Sequence, residues 1–137
     1  MISFVKPVEV GAGLVFRGGK LLITLRYDDV HLGGLWEFPG GKKESAETYE
    51  ECVVRELREE LGIEVKVGGL VESATHEYPE KSVHLRFFRC EWVSNEPRAL
   101  GCADLKWVTQ EEIGGYEFPA ADLRLLERLK SERALWG

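Results

Sequence analysis

Residues 40–63 read GGKKESAETYEECVVRELREELGI, and this stretch decides the fold. Ser45 to Leu61 predicts a helix, and Gly62 directly behind Leu61 supplies its C-terminal stop. At about 100° per residue, Glu56, Glu59 and Glu60 share one sector, while Val53, Val54, Leu57 and Leu61 fill the adjoining one and face a core. Arg55 and Arg58 take the remaining side. Carboxylates at i, i+3 and i+4 repel, each pair costing a helix a few tenths of a kcal/mol, roughly 0.2–0.5. Such a ridge is either a solvated face or a site for a hard cation. Mg²⁺ takes oxygen ligands, typically one or two carboxylates together with substrate phosphates.

The corner ahead of the helix, Pro39-Gly40-Gly41, is either an ordinary turn or a place where the backbone approaches a ligand and lends it a carbonyl. Arg55 has Glu51 four residues before it and Glu59 four after. It forms either a surface ion pair of little worth or a support that orients Glu59.

Outward from this segment, Val8 to Arg17 and Lys20 to Arg26 predict two strands joined by a Gly18-Gly19 turn. Tyr27 to Gly34 is a loop, and Leu35 to Phe38 is a short apolar run stopped by the proline. Ile63 to His76 and Val83 to Val93 predict strands joined around Pro79 to Ser82, and Lys106 to Val108 a further short one. Thr109 and Glu112 have the spacing of a capping box for a short helix. Pro119 opens a final helix to about Arg133, with Leu123, Leu126 and Leu129 as its apolar stripe. Strands on both sides of one long helix, with another helix at the end, predict an α/β (α+β) fold in which a mixed β-sheet is sandwiched between α-helices.

The whole chain sets the bounds. Its 137 residues fit one domain, 1–137, and the 44% hydrophobic and 31% charged content is that of a folded globular protein rather than a disordered one. Eighteen basic residues against twenty-four acidic ones give a net charge of −6, which argues against a nucleic-acid polymer or an anionic membrane as partner. A small anionic ligand carried in by a metal remains compatible with that charge. Cys52, Cys90 and Cys102 are an odd number without CxxC spacing, so neither a disulfide framework nor a zinc site is expected. Met1 to Pro7 lacks a signal-peptide pattern, and no apolar run approaches ~18 residues. A reducing cytoplasm is the expected setting.

Gly41, Glu47, Arg55-Glu56-Leu57, Glu59-Glu60, Gly62 and Ile63 satisfy every position of the Nudix box, GX5EX7REUXEEXGU, where U is a bulky aliphatic residue. The chain therefore resembles the Nudix hydrolases. The lead-in Leu35-Trp36-Glu37-Phe38-Pro39-Gly40-Gly41-Lys42 resembles the MutT and CTP-pyrophosphohydrolase branch. The resemblance implies a Nudix fold and hydrolysis of nucleoside diphosphates linked to another moiety, with Mg²⁺ or Mn²⁺. It implies Glu56, Glu59 and Glu60 as metal ligands and catalytic residues, the Gly40 carbonyl as a further ligand, and Glu47 and Arg55 as supports. In that branch water attacks a phosphorus of a triphosphate and releases a nucleoside monophosphate and pyrophosphate. Arg26, eleven residues before Glu37, stands where the branch places a phosphate-contacting arginine; otherwise it is a strand-end surface residue.

Asp122 lies where the branch reads the base edge, or else it caps the final helix. An ionised carboxylate there accepts from exocyclic amino groups, and a protonated one also donates. Phe38, Phe87 and Phe88 offer pocket walls, with core packing as the alternative. No role is assigned to His76 or His84. One departure matters. The family's additional glutamate, six residues before the next tryptophan, is replaced by Gly101, so Glu60, Glu59, Glu77 or Asp104 must serve as base. Cys102, beside that gap, has no histidine partner to make it a nucleophile. The expected activity is pyrophosphohydrolysis of free, oxidised or methylated nucleotides by a monomer or homodimer. The alternatives are ADP-ribose or dinucleoside-polyphosphate cleavage, and a non-catalytic nucleotide-binding module.

Overall fold

The computed structural model describes residues 7–137; the expectation for Met1 to Pro7 therefore falls, up to Lys6, outside the described residues. Strand β1 (Val8–Arg17) turns at Gly18-Gly19 into β2 (Lys20–Leu25). Both glycines have positive φ, 57° and 78°, the conformation a tight two-residue hairpin demands. Then follow β3 (Trp36–Glu37), β4 (Gly40–Lys42), helix α1 (Tyr49–Leu61), β5 (Glu64–Glu77), β6 (Ser82–Ser94), β7 (Asp104–Val108) and helix α2 (Leu123–Ser131). The sheet runs β3-β2-β1-β6-β5, with β4 paired to β1 and β7 to β2. It is mixed as expected, because β1 and β6 are parallel while the other pairs are antiparallel.

One core lies on each face. Under α1, Val53, Leu57 and Leu61 pack with Val15, Leu22, Ile63 and Phe88. On the other face α2 packs Leu125, Leu126 and Leu129 against Leu14, Ile23, Phe38 and Phe87. Among the described residues no helix is long and apolar enough to cross a membrane.

The structure corrects several expectations. Helix α1 starts at Tyr49, not Ser45, because Thr48 and Glu51 form a reciprocal capping box: the Glu51 amide donates to Thr48 Oγ1 at 3.1 Å and the Thr48 amide to Glu51 Oε1 at 2.8 Å. The expected stop holds, with Gly62 left-handed at φ 70°. Pro39-Gly40-Gly41, read as a turn or a ligand-approaching corner, leads straight into strand β4 (Gly40–Lys42) paired to β1.

The final helix is shorter than Pro119 to Arg133. A 3₁₀ turn, Ala120–Asp122, precedes α2, and Arg133–Trp136 forms a separate turn. Its buried stripe is Leu125, Leu126 and Leu129; Leu123 is 54% exposed, since the 3₁₀ turn resets the phase of the helix. Thr109 and Glu112 do make both capping-box bonds, yet only a 3₁₀ turn, Ile113–Gly115, follows, since Gly114 and Gly115 give it no propensity to continue.

Candidate active site

The cap at Thr48 fixes the angular position of every later side chain on α1 and turns its acidic face toward β4. Arg55 sits at the centre. Its Nε and Nη2 donate to the Glu47 carboxylate at 3.0 and 2.6 Å, Nη1 to Glu56 at 2.9 Å and to Glu59 at 3.2 Å, and Nη2 also to the Lys42 carbonyl at 3.0 Å. Glu51 is not a partner, because its carboxylate serves the cap. The guanidinium holds the Glu47 carboxyl well down, at about 2.

Glu60 Oε2 accepts from the Gly40 amide at 3.2 Å. Burial, then Glu37 and Glu56, push its carboxyl up to about 8. Burial likewise raises Glu56, against the pull of Arg55. The Glu56 carboxylate lies over Gly41, where any Cβ would collide with it. Glu59 is the outermost of the three, with 60% of its side chain exposed.

Beside the Gly40–Gly41 corner, which lines it, opens a cleft. Its floor includes Ala12, Phe38 and Phe87. Phe38 stacks on Phe118 at 5.1 Å between ring centres, and Phe87 meets it edge-on at 5.9 Å. Phe88 does not line the cleft: strand alternation sends it into the α1-side core. Arg26 lines one wall. Its Nη1 pairs with Glu37 at 3.1 Å and its Nε donates to the His31 carbonyl at 2.8 Å.

Asp122 also lines the cleft and is only 4% exposed. It stands at the N-cap position of α2 but makes no capping hydrogen bond, so burial rather than capping defines it. Burial, and then Glu37, lift its carboxyl to about 8, so it is mostly protonated at neutral pH and both donates and accepts.

Glu37, His31, Tyr78 and Lys81 also line the cleft and were not singled out from the sequence. A signal existed for Glu37, the one charge inside the run Leu35-Trp36-Glu37-Phe38. Nothing local marks Tyr78 or Lys81, which a turn between β5 and β6 brings in. His84 contacts Thr75 at 2.7 Å and is absent from the cleft lining, whereas the His76 ring rests on Tyr78 at 4.5 Å.

Gly101 packs on the end of α1: its amide donates to the Glu60 carbonyl at 3.0 Å, and a Cβ there would stand 3.2 Å from Glu60 Cα. Asp104 accepts from the Leu105 amide, and Glu77 from the Ser82 hydroxyl. Cys102 is buried and its thiol pushed up to about 11, which leaves it protonated rather than nucleophilic.

Among the described residues no three acidic, histidine or cysteine side chains are gathered closely enough to hold a metal ion. Glu56 and Glu59 lie on Arg55, and Glu60 on Gly40. The donor set nevertheless fits a hard divalent ion. Three carboxylates and a glycine backbone offer only oxygen, and two of the carboxyls are held protonated-prone by burial and mutual repulsion that a cation would relieve.

An acidic helix gripping a glycine corner, at the mouth of an aromatic-floored cleft in a sheet between two helices, is the kind of site that works on nucleotide phosphates. A family model described as a NUDIX domain matches residues 11–128. The CTP pyrophosphohydrolase of Escherichia coli (strain K12) is 39% identical over 94% of this chain and 96% of its own length. The 8-oxo-dGTP diphosphatase of the same strain is 32% identical over 91% of this chain and 98% of its own. The crystal structure of the MutT protein from Methanosarcina mazei Go1 superposes with a TM-score of 0.83, at 30% identity over 95% of this chain and 98% of that one. The chain belongs to the Nudix family, in its MutT-like branch, and is a hydrolase acting on nucleotides.

Proposed function

We propose that the protein is a Mg²⁺- or Mn²⁺-dependent nucleoside triphosphate pyrophosphohydrolase, residues 1–137 forming one Nudix domain that works in the cytoplasm. The carrying observation is that one cleft is lined both by the buried Asp122 and by the Gly40–Gly41 corner on which Glu60 and Glu56 rest. Such a cleft holds a base at one end and a polyphosphate at the other.

Glu56, Glu59, Glu60 and the Gly40 carbonyl are the residues that hold the ion. Bound there, it supplies screening of the phosphate charge and acidification of water. Arg55, tied to Glu47, sets the directions of Glu56 and Glu59. Arg26 exchanges Glu37 for a substrate phosphate, and Phe38 offers its face to the base. Asp122, protonated, pairs with an acceptor and donor edge such as that of cytosine; the Escherichia coli relative named for CTP supports that preference. For the proton of the attacking water, Glu59 and Glu60 serve, because Asp104 and Glu77 are engaged elsewhere and Gly101 carries no carboxylate. The exposed Glu59 reaches water directly.

The test is a panel of CTP, dCTP, 5-methyl-dCTP, 8-oxo-dGTP and ADP-ribose, incubated with Mg²⁺ and assayed for product. Pyrophosphate from the triphosphates, cytosine forms first, is the expected result. Cleavage of ADP-ribose alone would move the assignment to another nucleoside diphosphate linkage. Tight nucleotide retention without turnover would make the protein a binding module.

A further inference from the structure

Three side chains of α1 grip three successive residues of β4. Glu60 accepts from the Gly40 amide at 3.2 Å, Cys52 Sγ donates to the Gly41 carbonyl at 3.3 Å, and Arg55 donates to the Lys42 carbonyl at 3.0 Å. The three lie on one helix face at spacings of three and five. Arg55 and Glu60 belong to the Nudix box, whereas position 52 falls in one of its unspecified stretches.

Cys52 is fully buried, and it is wedged rather than loosely covered. A Cβ on Gly11, the β1 partner of Gly41, would stand 3.3 Å from its sulfur and 3.1 Å from Val53. The thiol therefore occupies the gap between β1 and the glycine corner that the bare Gly11 leaves. Burial pushes it up to about 11, so it keeps the proton it donates; the Glu47 carboxylate also faces it. Cys52 and Arg55 grip the corner through groups that are not themselves proposed metal ligands, so these two bonds persist whatever Glu60 holds.

We infer that Cys52 is a positioning residue: its S–H bond to the Gly41 carbonyl, with its packing on Gly11, presets the Gly40–Gly41 backbone that the metal site uses. The inference rests on the proposed role of the Gly40 carbonyl as a metal ligand. A thiol is a weak donor, so its removal costs less than the loss of a charged partner of a ligand.

Mn²⁺ binding by calorimetry and amide exchange in EDTA, on wild type, C52A and C52S, test it. In C52A the Mn²⁺ affinity falls about three- to tenfold, and the Gly40 amide exchanges faster without metal. C52S, which is as small as alanine in apolar bulk but restores a donor, returns both to within about twofold of wild type. Equal Mn²⁺ affinity in C52A and wild type, or C52S as weak as C52A, overturns the positioning role. If C52A does not fold, C52S decides alone: affinity more than threefold below wild type overturns it. Wild type that binds no Mn²⁺, while Gly40 exchange still responds to C52A, instead overturns the metal assignment.

Discussion

Arg55 holds Glu47 through two parallel hydrogen bonds, Nε at 3.0 Å and Nη2 at 2.6 Å, and spends its third nitrogen on Glu56 and Glu59. A lysine offers one point of charge where this arrangement needs a planar fork with a free edge. R55K therefore frees Glu56 and Glu59 to rotate. Steady-state kinetics on the best nucleotide of the panel should show turnover lower by about ten- to hundredfold, with a smaller change in KM. E47Q keeps the geometry but weakens the clamp, and it should lose less. A variant R55K with wild-type turnover would reduce the network to surface charge.

Glu59 is the member of the ridge with least structural duty. Among the described residues its polar partner is Arg55, and most of its side chain is exposed. E59Q removes a charge at constant volume, so the melting temperature should barely move, by the equivalent of ~0.5 kcal/mol or less. Turnover should drop at least about a hundredfold, since a proposed ligand and a candidate base are lost together. Wild-type rates in E59Q would remove it from the site.

The local sequence carried the helix, its stop, its acidic face and five of the seven strands, because each follows from periodicity or from one residue's backbone preference. It placed the start of α1 four residues early, since Ser45 and Thr48 are both acceptable caps and only the reciprocal bond to Glu51 selects one. It hid β4, because the ladder to β1 needs no side chain at Gly40 or Gly41. It also hid the burial of Asp122, on a 3₁₀ turn seated against β5, and the charge of Glu37, eighty-five positions away, that raises its carboxyl. Contacts between remote segments decided those, and no short-range pattern encodes them.

Asp122 also bears on selectivity. D122A removes the buried carboxyl proposed to read the base while leaving the acidic face of α1 untouched. The ranking among CTP, dCTP and 8-oxo-dGTP by kcat/KM should change by about tenfold or more, with maximal rates shifting less. An unaltered ranking would show that the base is read elsewhere.

Gly101 leaves only tight room for the glutamate that the family places there. A Cβ would press on Glu60 at 3.2 Å to Cα and 3.3 Å to Cγ. G101E should therefore lower the melting temperature, with a cost on the order of 1 kcal/mol or more, and should not raise turnover. Faster hydrolysis by G101E at unchanged stability would mean that this loop can carry a base after all.

The last prediction concerns pH and stability. Asp122 has its carboxyl raised to about 8 in the folded chain, from an unfolded value of 3.8. Between those values the folded state binds more protons than the unfolded state, so stability contributed by this group is intact below about pH 4 and drains away as pH rises toward 8. D122N cannot ionise and should escape that loss. Thermal melts in EDTA at steps from pH 5 to pH 8.5 should show wild type losing ground steadily against D122N, by on the order of 4 kcal/mol across the range. Glu47, held down near 2 by Arg55, is ionised throughout this window and cancels in the comparison. A constant difference between the two proteins at every pH would mean that Asp122 is ionised in the cleft, and its pairing with a base would then run through acceptance alone.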